Sequence, residues 1–234
     1  MMRRAAVIAL LLFVTSCDVF TVRQADDSRF PPADRPVSNI SAGKFSTEEE
    51  RDRRNEAETV MDMARIEPGM TVADIGAGNG YYTVRLAPRV GADGRVLAED
   101  IIPETRDRLA DRVSRERLDN VSVRLGEPGD PKLPADSFDR IFMVYMYHEI
   151  ESPYEFLWHI HPALRDGGRI VVVDADRPTN RHGTPPELLR CEFAAVGFRR
   201  VDYRPMPKIG GYLAMFERAG PRPDPDAIAV CGQH

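Results

Sequence analysis

From Thr71 to Glu217 the chain alternates between short apolar runs and longer amphipathic stretches. The runs Thr71–Ile75, Arg95–Glu99, Val121–Leu125, Arg140–Val144 and Arg169–Asp174 read as strands. Between them, Tyr81–Arg89, Pro103–Leu118 and Pro153–Arg165 carry the apolar spacing of helices. Strands that are apolar on both faces and separated by helices imply a parallel sheet covered on both sides. Upstream, Ser46-Thr47-Glu48-Glu49 has the pattern of a capping box, so a helix is expected to run to about Ile66. Ala57, Val60, Met61 and Ala64 would face inward, and "EPGM" would end it. A helix near Pro186–Val196 and two strands, "GFRRVDYR" and "GGYLAMFE", close the pattern. The expected fold class is therefore α/β, a doubly wound, mostly parallel sheet with a closing antiparallel strand.

The two ends lack this periodicity. Arg3 and Arg4 precede ten apolar residues, Ala5–Val14, and then Val14-Thr15-Ser16-Cys17. Ten apolar residues are too few to span a bilayer as a helix but suit the core of a secretory signal. Small residues ahead of a cysteine resemble the lipobox of bacterial lipoproteins, in which the cysteine is lipidated. That resemblance implies a signal peptide over 1–16 and a membrane anchor at Cys17. Residues 17–45 are rich in Pro, Asp, Arg and Ser and read as a tether or lead-in, with Phe30, Ile40 and Phe45 as points where part of it packs on the domain. A flexible coil of that length reaches roughly 30 Å. The domain itself would cover 46–218. Residues 219–234 are Pro- and Asp-rich and are expected to be disordered.

Composition narrows the partners. Lys and Arg number 32 against 37 Asp and Glu, and removal of Arg3 and Arg4 with the signal leaves 30 against 37, or −7. An acidic body without a basic stripe speaks against a nucleic-acid partner. Beyond Cys17 there are Cys191 and Cys231, whose spacing demands no disulfide. The expectation is a buried Cys191 and a loose Cys231. His159 and His161 stand two apart on a helix, face different ways and make poor joint metal ligands.

The candidate chemistry begins at "ADIGAGNGYYT", Ala73 to Thr83. A strand that runs into Gly76-Ala77-Gly78-Asn79-Gly80 and then a helix lets backbone N–H groups approach a ligand closely. The spacing is G-x-G-x-G, not the G-x-G-x-x-G of dinucleotide binders, which counts against a nicotinamide enzyme. Asp100 follows Gly80 at the separation of a carboxylate that accepts ribose hydroxyls.

"VADIGAGNGYYTVRLA", "RVLAEDIIPE", "LPADSFDRIFMVYMYHEI" and "LRDGGRIVVVD" resemble, in that order, the successive motifs of class I S-adenosylmethionine-dependent methyltransferases. The resemblance runs from about Ser46 to Glu217. It implies a Rossmann-like fold and S-adenosyl-L-methionine as cofactor, with Gly76, Ala77, Gly78, Asn79 and Gly80 around its methionine part. It further implies Asp74 as the acidic position of the first motif and Asp100 on the ribose. Glu127 or Asp130 would meet the adenine, and the segment Val144–His148 would lie beside the methyl. Relatives often carry an acid where Tyr145 stands.

Methyl transfer needs alignment above all, and a base for an oxygen or nitrogen nucleophile. His148 is the candidate base, or else it caps the next helix or lines the pocket. Tyr147 is the second catalytic candidate; Tyr147 and Tyr145 either shape the pocket or pack. Arg177, Arg181 and His182 leave the last parallel strand at the edge where such sheets bind ligands, as acceptor contacts or as a solvated loop. The acceptor would be a small or lipid-like molecule. A different class of function stays open: an envelope lipoprotein that keeps the fold to bind a metabolite or partner, since the cofactor is made in the cytoplasm.

Overall fold

The computed structural model of the chain describes residues 29–40 and 46–232. The expected signal segment with Cys17 lies outside the described residues, as does Phe45. Among the described residues no helix is long and apolar enough to cross a membrane.

Seven strands form one sheet: β1 (Thr71–Ile75), β2 (Arg95–Asp100), β3 (Val121–Leu125), β4 (Phe138–Val144), β5 (Leu164–Asp174), β6 (Phe198–Met206) and β7 (Gly211–Arg218). Their spatial order is β3-β2-β1-β4-β5-β7-β6. Pairings from β3 to β5 are parallel, and β7 runs antiparallel to both β5 and β6. One reversed strand in a doubly wound sheet is the expected fold class. The chain reverses strand order at β1, where β4 joins the other side, and this switch point opens the crevice in which such sheets bind ligands.

Alternation along the strands divides the core. Ile170 and Val172 face one layer, with Leu157, Ile160 and Phe193. Val171 and Val173 face the other, with Val60, Met61 and Leu86. The helices are α1 (Glu48–Arg53), α2 (Glu56–Met63), α3 (Thr83–Val90), α4 (Pro103–Arg115), α5 (Pro153–Ile160) and α6 (Pro186–Ala195).

Three local expectations need correction. The single helix anticipated to Ile66 is two, because Asn55 takes a left-handed φ of 52° and breaks it. Its cap is Thr47, reciprocally bonded with Glu50, one residue later than the pattern suggested. α5 stops at Ile160, since Pro162 lacks the N–H to continue it.

The lead-in and the tail differ more. Arg35 is buried and donates from Nε to Glu192 Oε1 at 2.8 Å, and from Nη2 to the carbonyls of Tyr147 and Ile150. Phe30 packs edge-on against Trp158, whereas Ile40 is exposed. Residues 219–232, expected to be disordered, are docked. Trp158 Nε1 donates to the Pro223 carbonyl at 2.9 Å, Arg222 stacks on the Trp158 ring, and Ile228 joins the core. Cys231 forms a disulfide with Cys191 of α6, so neither thiol is free. Next to it Gly232 bridges Asp34 of the lead-in. These contacts join residues far apart in sequence, which composition does not reveal.

Candidate active site

The C-terminal ends of β1, β2, β4 and β5 open into a cleft of ≈ 960 Å³. One half is the glycine loop after β1. Gly78 has φ +57°, and nothing stands within 4 Å of where a Cβ would be, so its backbone is bare to the cleft. Gly80 has φ +87° for a different reason: a Cβ there would meet Leu109 of α4 at 2.5 Å. Gly80 therefore serves packing and does not line the cleft, whereas Gly76, Ala77, Gly78 and Asn79 do.

Asp100 fastens this loop. Its Oδ2 accepts the Gly78 N–H at 3.0 Å and its Oδ1 the Ile102 N–H at 2.9 Å. Glu99 beside it is buried, and its Oε1 has no hydrogen-bond partner. Burial, with the charges of Asp100 and Asp74 nearby, pushes its carboxyl up to about 8. Gly126 makes room for it, since a Cβ there would lie 1.7 Å from that oxygen. Asp74 is buried behind the loop, where it accepts from Thr83 Oγ1 at 2.6 Å and sits pushed up to about 6 by burial. It ties β1 to α3 and does not line the cleft.

The other half is assembled from four segments. A three-residue turn, Tyr147–Glu149, follows β4. It sends consecutive side chains in different directions. Tyr147 points into the core, where its hydroxyl donates to Glu192 at 2.7 Å and its ring packs on Phe193. The expectation of a catalytic Tyr147 is thereby overturned. His148 faces the cleft. Its Nδ1 lies 3.0 and 3.1 Å from the two oxygens of Asp174 at the end of β5. Asp174 is fully buried and otherwise meets only donors, the Ala175 N–H and Thr184 Oγ1. An acceptor-only carboxylate requires Nδ1 to carry the hydrogen, which in the neutral imidazole places the lone pair on Nε2.

Ser38 of the lead-in closes this half. It donates from N–H to the His148 carbonyl at 3.2 Å and from Oγ to the Thr179 carbonyl, and it accepts the His182 N–H at 3.1 Å. His182 holds φ +54° and stands edge-on to His148, ring centroids 5.5 Å apart. Val144, Tyr145, Arg177 and Arg181 line the same cleft. Neither adenine candidate reaches it. Glu127 and Asp130 both pair with Lys132, and Pro128 between them forms the wall instead. His159 and His161 are surface and packing residues, against Asp130 and the Gly220 carbonyl respectively.

Sheet order, a glycine loop at the switch point and an acidic pair on the neighbouring strand define a class I, Rossmann-like methyltransferase fold. A family model described as a methyltransferase domain matches residues 66–197, more than half of the chain, and the chain belongs to that family. It is similar to an arsenite methyltransferase of Halobacterium salinarum, 29% identical over 59% of this chain and 36% of that protein. It is also similar to the ubiquinone/menaquinone biosynthesis C-methyltransferase UbiE of Methylococcus capsulatus, 31% identical over 61% and 56%. The chain thus spans between about a third and just over half of the length of these two relatives. Among solved structures, an S-adenosylmethionine-dependent methyltransferase from Aquifex aeolicus shares the fold. It has a TM-score of 0.64 and 22% identity, covering 74% of this chain and 98% of that one.

Fold and family make S-adenosyl-L-methionine the cofactor, and the residues fit it. The molecule offers hydroxyl and ammonium donors and a cationic sulfonium. The loop half of the cleft offers two carboxyl groups, one of which has a buried oxygen without a partner, and a bare glycine backbone.

Proposed function

We propose that this protein transfers a methyl group from S-adenosylmethionine to a small or lipid-like acceptor bearing an ionisable O–H or N–H. The observation that carries this reading is the Asp174–His148 pair across the cleft from the glycine loop. Asp100 and Glu99 would hold the ribose hydroxyls, and Gly76–Asn79 the methionine part. Bound cofactor supplies a methyl group already activated by its sulfonium. His148 Nε2 draws the proton from the acceptor's attacking atom, and Asp174 fixes the tautomer that presents Nε2 as the acceptor and steadies the imidazolium afterwards. Tyr145, Met146, Ile150 and Ile209 give the acceptor side an apolar wall, which suits an acceptor with an apolar body. No cysteine lines the cleft among the described residues, so the soft thiolate ligands suited to arsenite are missing there.

We also infer export and lipidation at Cys17. The Cys191–Cys231 disulfide supports this, because such bonds persist in oxidising compartments. Mass spectrometry of the cellular protein tests it: an acylated Cys17 at the mature N-terminus is expected, and an unprocessed Met1 overturns it.

Calorimetric titration with S-adenosylmethionine, then radiolabelled methyl transfer to a membrane-lipid extract, tests the enzyme reading. Cofactor binding and label in the lipid fraction or in a soluble acceptor are expected. Absence of heat overturns the reading in favour of a non-catalytic binding module.

A further inference from the structure

One feature of the acceptor half exceeds what proton removal requires. Three potential ligand atoms, from His148, Glu149 and His182, all lie within 4.8 Å of one another, and His148 Nε2 stands 4.0 Å from Glu149 Oε1. Ligands sharing one ion at ~2.1 Å are separated by about 3–4 Å. Less than about 1 Å of side-chain movement would bring this set onto a common centre. We propose that these three residues form a binding site for one divalent first-row transition-metal ion in the acceptor half of the cleft.

The surroundings are those of a ligand set held in advance. A metal-binding imidazole characteristically donates its other N–H to a carboxylate, which fixes the tautomer and strengthens the ligand nitrogen. Asp174 does this for His148 at 3.0 Å. His182 is held through its backbone. Its N–H donates to Ser38 Oγ, and its neighbour Thr184 is anchored by N–H to the Ala175 carbonyl and by Oγ1 to Asp174. Gly183 between them permits this close return of the loop, since a Cβ there would lie 2.4 Å from the Ala175 carbonyl oxygen. Ser38 in turn bonds the His148 carbonyl, so one residue of the lead-in fixes the backbone of both histidines.

Two imidazoles and one carboxylate select borderline ions such as Zn²⁺ or Co²⁺ over Mg²⁺ and Ca²⁺, which favour all-oxygen ligation. Three protein ligands leave coordination positions open toward the cleft, as in catalytic rather than structural metal sites. A hydroxyl of the acceptor bound there would become more acidic. The ion would occupy the Nε2 lone pair, and the hydroxyl's proton would pass to solvent instead of to His148. The proposal goes beyond the methyl-transfer reading, and binding is measured without it.

The test is a titration of chelator-stripped, full-length protein with ZnCl₂ and CoCl₂, followed by calorimetry and by visible Co²⁺ absorption. One equivalent is expected, with the d–d intensity of a low-coordinate site and no competition from MgCl₂. His182→Gln and Glu149→Gln should each weaken binding by more than about tenfold while keeping a cooperative thermal transition. The proposal is overturned if wild-type protein binds neither ion at concentrations on the order of 100 µM. It is equally overturned if both folded variants bind as tightly as wild type. Metal binding without cofactor heat sinks the methyltransferase reading alone, and cofactor heat without metal binding sinks the metal site alone.

Discussion

The glycine-loop half of the cleft is drawn from one short segment, Gly76 to Asp100, whose loop and carboxylates are joined by a single strand-helix-strand unit. The acceptor half is drawn from Ser38, His148, Asp174 and His182, its outermost members separated by 144 positions in sequence. The first half is local: each contact follows once β1 and β2 pair in register, Ile75 beside Glu99. The second depends on the lead-in reaching across the sheet and on a loop pinned to β5. A site can therefore keep a generic cofactor half while its acceptor half diverges, because the two halves rest on different sets of contacts.

Four measurements break or sharpen this contrast, from the largest effect to the smallest. His148→Gln should lower the methyl-transfer rate by about 10²–10⁴-fold and leave the heat of cofactor binding in place, since the imidazole belongs to the acceptor half alone. A variant that loses cofactor binding as well would erase the division. Replacement of both Cys191 and Cys231 by serine should cost about 2–4 kcal/mol in denaturant unfolding. It should also raise hydrogen exchange in residues 29–40 more than in the glycine loop, because the tail bridges the lead-in at Asp34. Asp100→Ala should weaken cofactor affinity by about 10–100-fold, as it removes the carboxyl that anchors the Gly78 N–H of the loop and the Ile102 N–H beyond β2.

The smallest effect concerns pH. Glu99 ionises at about 8 in the folded chain, against an ordinary value of 4.5. The folded state thus holds an extra proton between those values. The stability this contributes is full below about 4.5, falls as pH rises and is gone above about 8. Asp74 acts in the same direction from 3.8 to about 6. A ribose hydroxyl donated to Glu99 favours its ionised form, so cofactor binding should release a proton below pH 8. Affinity should then rise with pH by at most about tenfold per unit. Calorimetry in buffers of different ionisation enthalpy reads the released proton, and Glu99→Gln should abolish it.

The same contrast governs what could be read along the chain. β1 and β3 occupy the residues their apolar runs marked, and Gly76–Asn79 and Asp100 stand at the cleft, because period, loop spacing and a neighbouring strand are local properties. Along the chain Glu99 shows only as the last residue of a strand run, just ahead of Asp100. Its burial depends on Gly126, which lies beyond the next helix. Tyr147 and His148 are adjacent in sequence, and only the turn they occupy sends one to the core and the other to the cleft. Asp174, Glu149 and Ser38 carried no signal as partners of His148, since no spacing rule connects them.

By itself, then, the sequence determined the doubly wound sheet and the glycine loop, because each rests on hydrophobic periodicity or on residues close along the chain, and its motifs carried the resemblance that implied the cofactor class. Only the tertiary structure decided that the lead-in and tail are docked, that Cys191 pairs with Cys231, and that Asp174, His148, Glu149 and His182 meet in one cleft. The physical reason is that these contacts form when helices and loops from distant segments close over the same sheet edge, and their geometry exists only after the sheet has assembled.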